Sequence, residues 1–196
     1  AGAVGHPSIS ADGRAVAFDG DAQASMLASD DANARADVYV ARLATGGITT
    51  PSAGAGGDAD ASLPTLSGNG RRVAFLKGGE AWARDLTSGT ATQASASGAT
   101  GRPAISADGA RVAYTTAATP SAVTAFTIAS GARTAISQSS TGTALTLSAT
   151  RAAISGDGGT GAFAFDDGAT PLLAVPHPAN TVPVTGDSNL VPDVFT

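Results

Sequence analysis

Apolar residues fall in short alternating runs along this chain and never in long ones. Val16-Ala17-Phe18, Val73-Ala74-Phe75 and Val112-Ala113-Tyr114 are three such runs; Gly161-Ala162-Phe163 is a fourth, with Gly in the first place. A period of two marks a β-strand. Each run is preceded by a second short segment that ends in Ile9, Leu66, Ile105 or Ile154. Between the two lies one phrase, Ser-x-Asp/Asn-Gly: Ser10-Ala11-Asp12-Gly13, Ser67-Gly68-Asn69-Gly70, Ser106-Ala107-Asp108-Gly109 and Ser155-Gly156-Asp157-Gly158. Strand, turn and strand predict a β-hairpin four times over. Asp and Asn tolerate the left-handed conformation and Gly takes a positive φ at no steric cost, so the pair suits a tight two-residue turn.

A second phrase follows three of the hairpins: Leu43-Ala44-Thr45-Gly46, Leu86-Thr87-Ser88-Gly89 and Ile128-Ala129-Ser130-Gly131. Strand-like runs precede it (Asp37-Val38-Tyr39-Val40, Glu80-Ala81-Trp82-Ala83, Ala122-Val123-Thr124-Ala125-Phe126), and Thr- or Ala-rich runs follow it. Each unit therefore predicts four antiparallel strands, A to D. A single such sheet cannot bury both faces, and stacking sheets about an axis gives an all-β fold, the β-propeller. The blade units span about 6–54, 63–98, 102–142 and 151–196. The fourth reaches Asp193-Val194-Phe195-Thr196, which matches strand C, and has no Leu-x-Thr-Gly or strand D of its own. The expectation is about four blades, the last incomplete, as part of a larger propeller. A compact four-bladed ring is the alternative.

The phrase Pro-x-Ile-Ser-x-Asp-Gly-x-x-Val-Ala-Phe, followed by Leu-x-Thr-Gly, resembles the TolB-type β-propeller repeat, a relative of the WD repeat. The resemblance covers nearly the whole chain. It is weakest in the fourth unit, where Gly161 holds the Val position and Ala152 the Pro position. It implies a propeller blade. It also implies several functions, since such propellers serve as protein-binding platforms, as envelope components and as domains attached to hydrolases.

Composition narrows these. The chain has 196 residues and a net charge of −5, with charged residues at 14% and one Lys, Lys77. A nucleic-acid binder would carry a basic stripe, and none is present. No apolar run approaches the roughly 18 residues that span a bilayer. Phosphate-loop and dinucleotide fingerprints are absent. There is no Cys, so disulfides and thiolate sites are excluded. Low Lys with an Ala/Gly/Thr-rich surface suits a secreted or cell-envelope protein of a high-GC bacterium. The chain starts at Ala1 without Met, which suggests a removed leader or a piece of a larger chain.

The intervals between Ser10, Ser67, Ser106 and Ser155 are uneven because the B–C loops vary. They are long at about 19–36 and 166–192, and all lie on one propeller face. Insertions gathered on one face mark a binding face. The two long loops share Asp-x-Asn-x-x-x-Asp-Val-aromatic: Asp31, Asn33 and Asp37 in one, Asp187, Asn189 and Asp193 in the other. Asp and Asn oxygens could form part of a Ca²⁺ shell. The simpler reading is that Asx side chains order the loop and cap the entry to strand C. The acidic pairs Asp19/Asp21 and Asp166/Asp167 read as solvated loop ends, and Arg71-Arg72 as a solvated hairpin tip.

Other candidates carry less. Gly186-Asp187-Ser188-Asn189-Leu190 superficially matches an esterase nucleophile block, but that block belongs at the start of an α/β chain. His6 and His177 each precede Pro, lack zinc-ligand spacing and read as turn residues. Trp82 and Tyr39 suit inter-blade packing. The repeated Ser is explained by turn stabilisation. The function expected is a non-catalytic binding or scaffolding module with no cofactor beyond a candidate calcium. It would engage a protein partner or neighbouring subunit, not nucleic acid, and would not span a membrane. The alternatives are a propeller segment of a larger hydrolase and a structural subunit of a surface layer or filament.

Overall fold

A computed structural model of the chain describes residues 3–21, 35–137, 148–166 and 173–174. Blade 1 comprises β1 (Val4–Ile9), β2 (Ala15–Gly20), β3 (Asp37–Arg42) and β4 (Gly47–Thr49). Blade 2 comprises β5 (Ala61–Leu66), β6 (Arg72–Lys77), β7 (Glu80–Asp85) and β8 (Ala91–Gln93). Blade 3 comprises β9 (Ala99–Ile105), β10 (Arg111–Thr116), β11 (Val123–Thr127) and β12 (Arg133–Ala135). Blade 4 comprises β13 (Ser148–Ile154), β14 (Gly161–Asp166) and β15 (Leu173–Ala174). Every sheet is an antiparallel meander in chain order. Among the described residues no helix is long and apolar enough to cross a membrane.

The alternating runs explain how the blades stack. In blade 2, Val73 and Phe75 face blade 1 and pack on its Ala15, Ala17, Val38 and Val40. Its Ala74, Ala81 and Ala83 turn the other way and receive Ile105, Val112, Tyr114 and Phe126 of blade 3. Large residues of one blade thus fill the space above small residues of the blade before it. Both faces of a middle sheet are buried, and each interface is close-packed without two bulky layers colliding. Blade 4 continues the scheme, with Phe163 and Ala149 against Val123. Gly161 breaks the Val pattern because Ile136 occupies the space: a Cβ on Gly161 would lie 2.6 Å from Ile136 Cδ1.

The A–B turns are not the two-residue turns expected. Gly13, Gly70, Gly109 and Gly158 have φ of 69°, 63°, 73° and 70°, whereas Asp12, Asn69, Asp108 and Asp157 do not take a positive φ. Gly13 N–H donates to Ser10 O at 2.9 Å, closing a four-residue turn with Gly in its last place. The Asp acts through its side chain. Ser10 Oγ donates to Asp12 Oδ1 at 2.6 Å, Arg14 N–H donates to the same oxygen at 3.0 Å, and Ala15 N–H donates to Ser10 Oγ at 3.0 Å. Ser67/Asn69, Ser106/Asp108 and Ser155/Asp157 repeat this pattern. The Ser Oγ–H, then the backbone N–H, lower the carboxyl pKa of Asp12, Asp108 and Asp157.

The turns also join the blades. Ala11 N–H donates to Gly68 O at 2.8 Å, Asn69 N–H to Ala107 O at 2.9 Å and Ala107 N–H to Gly156 O at 2.8 Å. Nη1 of Arg42, Arg72 and Arg111 donates to the turn carbonyls of Gly70, Gly109 and Gly158, at 3.0, 2.9 and 2.8 Å. Arg72 is therefore an inter-blade link and not a solvated tip. Its place after a turn suggests a tip, whereas its reach across to the next blade is a tertiary property.

Strand C of blade 4 also differs from expectation. β15 (Leu173–Ala174) pairs with β14, with Phe163 opposite Ala174 and Ala164 opposite Leu173. The place beside strand B that was assigned to Asp193-Val194-Phe195 is thus taken much earlier in the chain. Those three residues lie outside the described ones. The successive inner strands β1, β5, β9 and β13 pack side by side, but β1 and β13 do not pack on each other as these neighbours do. The described blades form an arc of a propeller and not a closed four-bladed ring.

Candidate functional site: the axial cavity

Each inner strand carries a β-bulge: between Gly5 and Ser8, between Ser62 and Thr65, opposite Ala113–Thr115 in β9, and between Thr150 and Ala153. Pro7, Pro64 and Pro103 lie at or beside the bulges in three blades, where a missing N–H removes no ladder bond. His6, Leu63 and Arg151 hold φ of 48°, 57° and 54°, and Gly101 holds 68°. For a non-Gly residue this conformation costs on the order of 1–3 kcal/mol, and such strain concentrates at functional sites. In β1 the bulge lies toward Val4, which pairs with Gly20, so it is on the B–C side of the blade.

The bulged inner strands line an open cavity of ≈ 640 Å³ on the axial side of the arc. Blade 1 contributes Pro7 and Ser8, blade 2 Thr65, blade 3 Thr100 to Ala104 with Thr115, and blade 4 Thr150 to Ala152. Arg102 bridges three blades: its Nε donates to Pro64 O at 2.9 Å and Thr65 Oγ1 at 3.1 Å, and its Nη2 donates to His6 O at 3.1 Å and Pro7 O at 3.0 Å. Arg151 lines the same cavity, exposed. Nothing in the sequence pointed to either arginine. Each sits in a bulge of strand A, and a bulge leaves no mark in the alternation of apolar residues.

The residues singled out in the sequence fall elsewhere. Asp37 opens β3, is 1% exposed, and accepts Ser52 Oγ–H at 2.5 Å, while Val38 N–H donates to Ser52 Oγ at 2.9 Å. Ser95 and Ser137 cap Ala81 N–H and Val123 N–H in the same way, a repeated device the sequence reading did not find. The signal is a Ser 14 residues after the amide it caps, in blades 1, 2 and 3. Asp31, Asn33, Asp187, Asn189, Asp193, Ser188 and His177 lie outside the described residues. Among the described residues no three His, Asp or Glu side chains gather as a metal site would require.

Asp19 is 8% exposed, not a solvated loop end. His6 Nδ1 is 2.8 Å from its Oδ2, and Leu63 N–H of blade 2 donates to the same oxygen at 2.8 Å. His6 is thus a bulge residue tied to strand B, not a turn residue. Trp82 packs between blades 1 and 2. Tyr39 stacks on Phe18, ring centroids 5.6 Å apart, on the opposite face of blade 1. Asp85 is saturated: Thr87 and Ser88 N–H donate to Oδ1 at 2.9 and 3.0 Å, and Arg71 Nε donates to Oδ2 at 3.1 Å. The Ser88 N–H leads in lowering its pKa from 3.8 to about 2, so it is no proton donor near neutrality.

No family model and no curated protein matches the sequence. Solved structures do match the fold. TolB from Acinetobacter baumannii is 15% identical with a TM-score of 0.62, covering 92% of this chain and 42% of that one. A protein from Agrobacterium tumefaciens described as a TolB is 14% identical at a TM-score of 0.62, covering 90% of this chain and 58% of that one. Dipeptidyl peptidase 4 from Porphyromonas gingivalis is 15% identical at a TM-score of 0.61, covering 89% of this chain and 31% of that one. The chain thus spans less than two thirds of each of these structures. The blade repeat, the sheet topology and these likenesses converge: the chain has the TolB-type β-propeller fold.

Proposed function

We propose that the chain is a non-catalytic binding or scaffolding module of the extracellular space or cell envelope, engaging a protein partner or a neighbouring subunit. The observation that carries this reading is the cross-blade bonding. Turn amides, arginine-to-carbonyl bonds and Arg102 fix successive blades into a stiff frame around an open cavity. A frame of this kind holds loops and a cavity in fixed relation, which suits recognition. The long B–C segment at 19–36 is the proposed contact region.

Affinity capture with the chain and with a variant whose residues 22–34 are replaced by a short Gly/Ser turn tests it. The expected result is a defined partner lost from the variant while its thermal unfolding stays cooperative. Unchanged capture would reject the loop as the contact. The Asp-x-Asn-x-x-x-Asp segments are read as loop-ordering, so millimolar Ca²⁺ should leave the unfolding midpoint where it is. A raised midpoint would instead assign a cation site to Asp31, Asn33 and Asp37 or to Asp187, Asn189 and Asp193. The likeness to a dipeptidyl peptidase favours a second reading, a propeller segment of a larger hydrolase. The intact mass of the native protein separates the two.

A further inference from the structure

The axial cavity is a positive spot in an acidic chain. The chain carries −5 overall, yet among the described residues the only charged side chains lining the cavity are Arg102 and Arg151. Among the described residues no carboxylate lines it. Arg102 is anchored along one edge by the carbonyls of three residues and a hydroxyl, all through Nε and Nη2. Its Nη1 has no partner among the described residues. Arg151 has no hydrogen bond or ion pair among the described residues and is kept at φ 54°, where blade 3 uses Gly101 for its own positive φ. His6 and Leu63 share this φ at the same bulge, so it is the unspent guanidinium donors of Arg151, and not its backbone, that are open to something outside the chain. The guanidinium presents a planar fork that matches a carboxylate bidentately.

The rest of the wall says what else the ligand has. Pro7, Pro103, Ala104 and Ala152 are apolar, and Ser8 and Thr100 bring hydroxyls. A volume of ≈ 640 Å³ holds far more than one carboxylate group. We propose that the axial cavity binds a carboxylate-bearing organic ligand, with Arg151 and the free Nη1 of Arg102 as its anion contacts. The site is independent of the long-loop contact region. The carboxylate could arrive on a small free acid or on a peptide, and the two sources are separable.

Calorimetric titration of the protein with citrate, and with an acetylated Gly-Glu-Asp peptide, at matched ionic strength tests the proposal. Binding of either probe is expected, and the tighter one identifies the source. Arg151→Gly should weaken it at least about tenfold. Its unfolding midpoint should hold or rise, because Gly adopts the positive φ freely, so lost binding cannot be blamed on lost folding. Arg14→Gln, on an exposed turn, should bind as the parent does. The 22–34 loop variant should keep its citrate or peptide affinity, which separates this site from the loop reading. Failure of both probes to bind above matched chloride, or parent-like affinity in Arg151→Gly, would overturn it.

Discussion

Asp85 receives two backbone N–H groups and the Arg71 side chain, and its Oδ2 lies 3.3 Å from Arg72 Nη2. These favour the carboxylate and depress its pKa from 3.8 to about 2. A depressed pKa means that the native state holds the proton less tightly than the unfolded chain does. The stabilisation is therefore complete above about pH 4 and disappears as pH falls toward 2. Asp85→Asn should cost about 2 kcal/mol at pH 7, and most of the difference from the parent should be gone at pH 2, as read by urea unfolding at both pH values. At this scale the sequence was half legible. The repeated Ser-x-Asp/Asn-Gly located each turn correctly. Its working parts were hidden, because a residue pattern shows where the chain reverses but not which rotamer accepts the hydrogen bonds. Hence Asp12 reads as a left-handed residue, when its carboxylate is what ties the turn.

Among the elements, the alternation of Val, Ala and Phe was fully legible as strand B. What it could not show is that Ala and Val/Phe serve two different interfaces. Gly161 illustrates the consequence. It reads as a weak copy of the repeat, yet Ile136 of the neighbouring blade lies over it and Phe163 completes the cluster. Gly161→Val should therefore destabilise, although it restores the pattern of the other three units, by roughly 1–3 kcal/mol from overpacking. Adding Ile136→Ala should recover much of that loss. Thermal melts of the two single variants and the pair measure the coupling, and additive losses would show that Ile136 is not the obstacle. Strand C of blade 4 was misplaced for a related reason. Asp193-Val194-Phe195 matches the motif, but a strand of two residues, Leu173 and Ala174, takes the pairing, and it carries no motif at all.

For the whole molecule, four repeating units were readable because each is local. The relation between first and last blade was not, since it depends on small rotations summed across every interface. The result is visible in the burial of equivalent residues. Leu66 and Ile105 are 5% and 8% exposed, covered by the blade before them, whereas Ile9, at the same place in blade 1, is 61% exposed. Leu43 is likewise open at 57%, while Leu86 packs into the interface of blades 1 and 2. The axial arginines belong to this scale too: they come from blades 3 and 4, and only the assembled arc brings them to one cavity.

Lys77, the one lysine in the chain, is 2% exposed, and its Nζ donates to Ser52 O at 2.8 Å between blades. The folded protein consequently offers reagents no accessible ε-amine. Acylating labels and amine-directed cross-linkers should leave Lys77 unmodified in the native state and acylate it once blades 1 and 2 separate. Peptide mass mapping after brief N-hydroxysuccinimide treatment across a urea series would then turn this single side chain into a built-in reporter of blade opening. Rapid modification at zero urea would contradict the buried placement.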